Sequence, residues 1–381
     1  MECHNSKRET VWKGAGGTLH IGEPELYVDN QSRKRSGHMS HAMTEYAPGK
    51  ILAFNSNCSA VRFHGHAAFG FLEFRRSEDG GRTWSDPRIL DWSMKVLLDG
   101  IYTFSAEKAV SVDGVITVLL LRNTQKREIC CEPWLTPMYI RSFDGGETWT
   151  EPMEFSKYPG RIYDAQVFDG SIYVLELCNE WFVAAPPELA GKEKMDNAVP
   201  WREDICYRLF RSDDAGETFS EVGIPDLDTK GYAYGSLQFR PDGSLLAYAC
   251  CIPVCSSSIP DGFNLGIALS RDLGKTWSRL PVCRLDKGIR NVQVSRLGAG
   301  YVMHGRAFLG APWGKGLVMY TSADGIAWDE GILLEPEKQG CYYSNNLLLK
   351  DADGKERLLV QYSDAYEGSR VNVMHRILTL E

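Results

Sequence analysis

Short apolar runs joined by tight turns recur six times along the chain. In each repeat a polar start leads into an apolar run, a turn containing Gly follows, and a second apolar run comes after it. Paired runs of this kind predict β-hairpins. The six predicted hairpins occupy residues 41–54, 107–119, 164–175, 234–248, 290–303 and 343–360.

A second pattern follows each of the first five hairpins. It reads Ser-x-Asp-x-Gly-x-Thr-Trp, or a close variant, and occupies residues 77–84, 142–149, 212–219, 270–277 and 322–328, which we call the boxes. Asp and Gly suit a turn, and the aromatic residue that follows can wedge between neighbouring units. Successive box serines are 65, 70, 58 and 52 residues apart, which is room for about four short strands per unit.

The two patterns together predict an all-β chain folded as a six-bladed β-propeller of four-stranded blades. We expect one domain over residues 1–381, with blades that begin near residues 38, 103, 161, 232, 290 and 342. The sixth hairpin has no box after it, and only about twenty residues remain. Residues 17–30 are therefore expected to supply the missing outer strand and close the ring, which leaves no open sheet edge.

Composition narrows the classes of partner. The net charge is −8, and no run of Lys and Arg is longer than residues 33–35, so we expect no nucleic-acid partner. No stretch approaches the roughly 18 apolar residues that span a bilayer, and residues 1–9 are polar, so we expect a cytoplasmic protein without membrane contact. The odd count of 11 cysteines favours reduced thiols over a disulfide framework. The oligomeric state stays open, with a homo-oligomer among the alternatives.

The starts of the predicted inner strands are unusually polar. All six point to one end of the central channel, and they carry His38, His41, Glu107, Lys108, Arg161, Asp164, Tyr232, Tyr234, Arg290, Asn291, Tyr342 and Tyr343. The loops between second and third strands should reach the same end, and they carry His64, His66, Trp134, Arg306 and Glu367. Aromatic, carboxylate and guanidinium groups around a concave opening suit a sugar acid. We expect no cofactor and a carbohydrate as the ligand.

With its boxes and six blades, the chain resembles the sialidase superfamily of BNR or Asp-box proteins over essentially its whole length. The resemblance implies a retaining exo-glycosidase with a Tyr nucleophile activated by Glu, an Asp acid/base in the first blade, and three arginines that bind the substrate carboxylate. Tyr343-Ser344 is similar to the family's nucleophile motif, and Arg306 is similar to its third carboxylate-binding arginine. Tyrosine serves there because an anionic nucleophile would be repelled by the substrate's carboxylate.

The chain departs from the sialidase pattern at four other places. Residues 38–42 stand where the family has Arg-Ile-Pro, and Tyr234 stands where it has Glu. The strand at 263–267 lacks the second arginine, and residues 64–66 replace the expected acid loop. These replacements favour a substrate other than sialic acid.

The first hypothesis is a glycoside hydrolase for an acidic or deoxy sugar. In it Tyr343 is nucleophile or proton donor, and Asp164 or Glu107 is the acid/base. The remaining candidates bind substrate: Arg161, Arg290 and Arg306 hold its acid group, His41 and His66 bind hydroxyls, and His38, Tyr234, Trp134 and Glu367 add contacts.

Three alternatives stay open. One is β-elimination from a uronate with Tyr343 and His41 as the base and acid pair, and another is a non-catalytic sugar-binding propeller. The third is a transition-metal site built from His38, His41, His64 and His66.

Overall fold

The computed structural model describes residues 9–37, 41–62, 67–125, 135–178, 206–227, 232–251, 263–308, 315–339, 343–351, 353–368 and 370–381. Three strands come before the first blade: β1 (Thr10–Gly14), β2 (Gly17–Ile21) and β3 (Glu25–Val28). Blades 1 and 2 follow, with one short helix between them. Blade 1 contains β4 (Met43–Ala47), β5 (Lys50–Arg62), β6 (Ala67–Ser77) and β7 (Arg88–Ile89), α1 (Asp91–Asp99) follows, and blade 2 contains β8 (Tyr102–Val112), β9 (Val115–Thr124), β10 (Met138–Ser142) and β11 (Met153–Glu154).

The remaining four blades repeat this order. Blade 3 contains β12 (Gly160–Phe168), β13 (Ser171–Cys178), β14 (Cys206–Ser212) and β15 (Ser220–Gly223), and blade 4 contains β16 (Tyr232–Phe239), β17 (Leu245–Cys251), β18 (Phe263–Ser270), β19 (Ser278–Arg279) and β20 (Cys283–Leu285). Blade 5 contains β21 (Gly288–Leu297), β22 (Gly300–Phe308), β23 (Lys315–Ser322) and β24 (Ile332–Gln339), and blade 6 contains β25 (Ser344–Lys350), β26 (Glu356–Glu367) and β27 (Arg370–Leu380).

The ring closes where the N-terminal strands join blade 6. Both β2 and β3 pair antiparallel with β27, and β1 pairs outside β2. The predicted six-bladed fold and its closure by residues 17–30 are thus confirmed. Each sheet is antiparallel with its first strand at the channel, and apolar clusters fill the interfaces between blades.

The boxes are turns built around one aspartate each. In the second box, Asp144 Oδ1 accepts hydrogen bonds from Ser142 Oγ at 2.8 Å and from the Thr148 backbone N–H at 2.9 Å, while Thr148 Oγ1 donates to Oδ2 at 2.6 Å. The box tryptophan then packs on the preceding blade: Trp149 lies edge-on to Phe54 and Phe74, with centroids 5.9 and 6.0 Å away. A box therefore shapes its own turn and fastens its blade to the one before.

At the centre of the channel, a buried ion pair ties the inner strands together. Lys108 Nζ of blade 2 lies 2.8 Å from Asp164 Oδ1 of blade 3. The same ammonium donates to Gln293 Oε1 of blade 5, and it donates to Asn345 Oδ1 of blade 6 at 2.6 Å. Three donors thus meet three acceptors from three different blades.

Asp164 extends this connection to blade 4. Its Oδ2 accepts hydrogen bonds from Ser236 Oγ and from the Leu237 backbone N–H, each at 2.7 Å. Ser236 Oγ in turn accepts the Val294 N–H of blade 5 at 3.1 Å. Because adjacent inner strands share no backbone ladder, these side chains satisfy backbone groups that face the channel.

We expect Asp164→Asn and Lys108→Met each to destabilise the protein by about 3 to 5 kcal/mol, because each leaves one buried charge without its partner. The double variant Lys108→Met with Asp164→Asn should recover part of that loss, because neither buried charge is then left alone and the amide oxygen can still accept from Ser236 and Leu237. Urea unfolding followed by far-UV circular dichroism measures all three free energies. Single variants with wild-type stability would show that the pair does not hold the blades.

The box aspartates predict a component of acid sensitivity. Hydrogen bonds from the Thr148 hydroxyl and backbone N–H lower the pKa of Asp144 to about 2. Because the folded pKa lies below the unfolded one, this stabilisation is present above about pH 4 and is lost as the pH falls towards 2. Asp144→Asn should therefore lose less stability than the wild type between pH 5 and pH 2 in thermal melts. Parallel curves for the two proteins would contradict this.

Candidate active site at the upper end of the channel

We call the end where the inner strands begin the upper end, and the opening there the upper pocket. Polar residues from the start of each of the six inner strands line it. The pocket is lined by His41, Ala106, Glu107, Lys108, Arg161, Tyr163, Tyr234, Gly235, Asn291, Val292, Gln293, Tyr343, Ser344 and Asn345. These residues come from all six blades. The cavity among them holds about 40 Å³, enough for one or a few small groups.

A β-bulge in four of the inner strands turns side chains into this pocket. The ladder skips one residue at Glu107, at Tyr163 and at Tyr234, and skips two at Asn291 and Val292. Each of these residues lines the pocket. A bulge adds a residue to one strand and changes the direction of its side chain, so it breaks the alternation of inward and outward positions.

Two of the bulges place a non-glycine residue at positive φ. Tyr234 has φ of 56° and Asn291 has φ of 58°, both in the left-handed region. Next to Tyr234, Gly235 is required because an added Cβ would lie 2.8 Å from carbons of Leu175 and Tyr207. Strained backbone of this kind is concentrated at functional sites.

Arg161 connects the two reactive groups of the pocket. Its Nε and Nη2 donate to Glu107 Oε2 at 3.1 and 2.9 Å, and its Cζ lies 5.1 Å from the centre of the Tyr343 ring. Arg161 and Tyr343 are both buried. Burial opposes the charge of Arg161, but the Glu107 carboxylate and the tyrosines around it raise its pKa, so this cation is permanent.

Only one oxygen of Glu107 is hydrogen-bonded to the described residues. Oε1 is buried and makes no hydrogen bond to any residue that the structure describes. Burial raises the pKa of Glu107, and the charges of Arg161 and Lys108 oppose that rise. A buried carboxyl with a single cationic partner is suited to exchanging a proton with a ligand.

Tyr343 is a neutral phenol in the resting site. Burial and the neighbouring Tyr234 raise the pKa of Tyr343, while Arg161 and Arg306 act in the opposite direction. Arg290 donates from Nη2 to Tyr234 Oη at 3.1 Å and is also close enough to Tyr343 for the two to interact electrostatically. All three predicted arginines thus lie around the tyrosines of the pocket.

Other predicted residues lie elsewhere. Asp164 lines a second cavity of about 400 Å³ lower in the channel, and its oxygens accept the hydrogen bonds described above. Glu367 lies at the exposed end of β26, paired with Arg370 at 3.0 Å. His38, His64, His66 and Trp134 lie outside the described residues.

Sequence reasoning missed several lining residues. Tyr163 and Gln293 carry polar groups in the pocket; Tyr163 lies in a bulge, and Gln293 directly follows one. Ser344, which follows Tyr343, lines the pocket and contacts the buried His304, with Oγ 2.9 Å from Nδ1.

The described part of the chain contains neither a cluster of three or more His, Cys, Asp or Glu that could hold a metal ion nor a helix able to cross a bilayer. The metal hypothesis rests on three histidines that lie outside that part, so it stays a hypothesis.

Comparison with known proteins identifies the fold. No family model and no curated protein matches the chain. A protein of unknown function from Dyadobacter fermentans is similar with a TM-score of 0.65 and 16% identity over 95% of this chain and 99% of that one. A Hadza microbial sialidase has a TM-score of 0.60 and 16% identity over 93% of this chain and 68% of that one.

An α-L-arabinanase from Penicillium chrysogenum, solved with arabinobiose, has a TM-score of 0.54 and 13% identity over 97% of this chain and 98% of that one. The chain therefore has the six-bladed propeller fold of the sialidases, as the sequence resemblance implied. At these identities the likeness concerns the fold alone.

The positive φ at Asn291 can be tested with a matched pair of variants. Asn291→Gly and Asn291→Ala both remove the side chain, but only glycine adopts the left-handed region without strain. We expect the glycine variant to be more stable by about 1 kcal/mol in urea unfolding. Equal stabilities would show that the bulge relaxes when the side chain is removed.

Proposed function

We propose that this protein is a glycoside hydrolase of the cytosol. Its substrate is an oligosaccharide that contains an acidic or a deoxy sugar, and the charges of the pocket favour the acidic one. The observation that carries the proposal is the buried Glu107–Arg161 ion pair placed against the Tyr343 ring in the upper pocket. It supplies a nucleophile, a proton acceptor and a fixed cation within one small space.

The charges around the pocket favour an anionic ligand. Lys108, Arg161, Arg290 and Arg306 provide four cations, against the two carboxylates Glu107 and Asp164. This local excess of positive charge contrasts with the net charge of −8 of the whole chain. A sugar carboxylate would be attracted to the site and bound by guanidinium donors.

The proposed roles follow from the contacts. Tyr343 attacks the anomeric carbon as the glycosidic C–O bond breaks; the tyrosine proton passes to Glu107, and the departing oxygen takes a proton from water. Water then cleaves the glycosyl–tyrosine bond, and Glu107 returns the proton to Tyr343. Arg161 holds Glu107 in place and, with Arg290 and Arg306, binds the acid group of the substrate. Asp164, the other acid/base candidate, is committed to the channel, so Glu107 takes the role of acid/base.

The structural neighbours support a carbohydrate ligand at the coarser level. Two of them are glycoside hydrolases by name, a sialidase and an arabinanase, and the second was solved with arabinobiose. The differing sugars of these two proteins agree with a fold that accepts different substrates.

Elimination from a uronate is the second candidate, and one observation favours it. Glu107 is the only carboxylate among the described residues that line the upper pocket, whereas most glycosidases use two. A tyrosine beside arginines is also the arrangement that elimination would need, with the cations acidifying the proton next to the carboxylate.

We expect Tyr343→Phe and Glu107→Gln each to lower turnover at least 100-fold, the usual loss for a nucleophile or an acid/base. Purified protein would be assayed against sialosides, other chromogenic glycosides and acidic oligosaccharides, by released sugar and by absorbance of an unsaturated uronate. Release of a saturated sugar establishes hydrolysis, and new absorbance establishes elimination.

Tyr158→Phe is the matched control, because Tyr158 lies outside the pocket and its hydroxyl donates to Glu221 at 3.1 Å. It should keep wild-type turnover. Wild-type rates for both Tyr343→Phe and Glu107→Gln would exclude the proposed mechanism, and sugar binding without any product would favour a non-catalytic propeller.

A further inference from the structure

A line of four side chains leads from the closing strand to the upper pocket. Tyr27 of β3 stacks on His375 of β27, with centroids 3.9 Å apart and planes 16° apart. His375 Nε2 lies 2.8 Å from Gln361 Oε1, and Gln361 Nε2 lies 3.5 Å from His41 Nδ1. His41 lines the pocket, and Gln361 is fully buried.

The orientation of the Gln361 amide is fixed by a backbone group. Its Nε2 lies 3.0 Å from the carbonyl oxygen of Phe54, which can only accept a hydrogen bond. The NH2 group must therefore face Phe54, and Oε1 must face His375. The ambiguity that usually affects amide side chains is removed at this position.

The two histidines then have defined roles. Since Gln361 Oε1 only accepts, the His375 ring must donate from Nε2. Gln361 Nε2 also lies 3.5 Å from His41 Nδ1, so a hydrogen on that nitrogen would place two donors near each other. This contact favours His41 Nδ1 as an acceptor.

We propose that Gln361 is a positioning residue, which holds His41 in the upper pocket as the neutral tautomer with its hydrogen on Nε2. His41 then offers the pocket an N–H donor, and its one basic nitrogen is occupied by Gln361. The inference deepens the proposed function and rests on it for the identity of the group that His41 contacts.

The surroundings of the line keep it uncharged. Burial, together with the nearby His41 and Arg75, lowers the pKa of His375 to about 3, so this ring is neutral at physiological pH. Arg75 also lies over Tyr27, with its Cζ 5.4 Å from the ring centre. Charging His375 would place a second cation beside Arg75 in a buried space.

In the lining of the upper pocket, His41 is accompanied by the cations Lys108 and Arg161 and by the carboxylate of Glu107. The titratable groups there are Lys108, Glu107, Arg161, Tyr163, Tyr234 and Tyr343.

The tautomer decides between roles for His41. A ring that donates from Nε2 and accepts at Nδ1 cannot take a proton from a sugar in the pocket. It can donate to a hydroxyl, carboxylate or carbonyl oxygen. If the reaction is elimination, Tyr343 must then act as the base, because the pocket gives His41 no free basic nitrogen.

Long-range ¹H–¹⁵N NMR of ¹⁵N-histidine-labelled protein tests this without any activity. At neutral pH we expect an unprotonated Nδ1 and a protonated Nε2 for His41, assigned by the signals that His41→Gln removes. Gln361→Glu replaces the donor that faces His41 with an acceptor, so Nδ1 should become protonated. Gln361→Met should give a mixture of both tautomers.

His20 is the control within each spectrum, since it is partly exposed and paired with Glu9, away from this line. Its signals should not change in the variants. A protonated Nδ1 in the wild type would overturn the proposal, as would an unchanged His41 in folded Gln361→Glu. If Gln361→Glu does not fold, the wild-type spectrum and Gln361→Met decide.

The activity assay separates this inference from the proposed function. The expected tautomer in a protein that processes no sugar would refute the enzyme and leave the positioning of His41 established. Turnover by a protein in which His41 is protonated at Nδ1 would support the enzyme and refute the positioning of His41. If both hold, Gln361→Met should raise KM more than it lowers kcat, because it disorders a contact and leaves Tyr343 and Glu107 in place.

Discussion

The Lys108–Asp164 ion pair at the channel centre is the constraint on which the rest of the structure depends. The inner strands of a propeller lie side by side without a shared ladder, so their channel-facing backbone groups need other partners. Asp164 accepts a hydrogen bond from a backbone N–H of blade 4, and Lys108 donates hydrogen bonds to side chains of blades 5 and 6. A buried pair need not add much net stability, but neither member can be lost alone, and the pair fixes how the blades meet. Lys108 belongs to this ion pair and also lines the upper pocket, so the pair forms the floor of the pocket.

Because Asp164 is held in this ion pair, Glu107 is the better candidate for the proposed acid/base. Asp164 and Glu107 are both buried carboxylates on neighbouring inner strands, and sequence reasoning could not choose between them. The oxygens of Asp164 are occupied by a lysine, a serine and two backbone N–H groups. Glu107 pairs with one arginine, and its Oε1 makes no hydrogen bond to any described residue.

The sequence was sufficient for the fold because the fold repeats. Five boxes at a near-constant period define the blades, and the missing sixth box pointed correctly to closure by the N-terminal strands. It was also sufficient to bring Glu107, Arg161, Tyr234 and Tyr343 to one end. It could not predict which residues face the pocket, because the bulges at Glu107, Tyr163, Tyr234 and Asn291 break the two-residue period on which strand faces are predicted. The histidines and Trp134 on the long loops lie outside the described residues, so their part in the site stays a prediction.

The charges of the pocket agree with the proposed role of Tyr343 as nucleophile. A second carboxylate beside Glu107 would raise the pKa of one of the two and repel an acidic sugar. The phenol of Tyr343 carries no charge until its proton leaves, so it does not oppose binding. Arg161 and Arg306, which oppose the rise in its pKa, would stabilise the phenolate as it forms. In the proposed mechanism, the same cations that would bind an acidic sugar would also favour the phenolate of Tyr343, so substrate preference and reactivity would have one electrostatic origin.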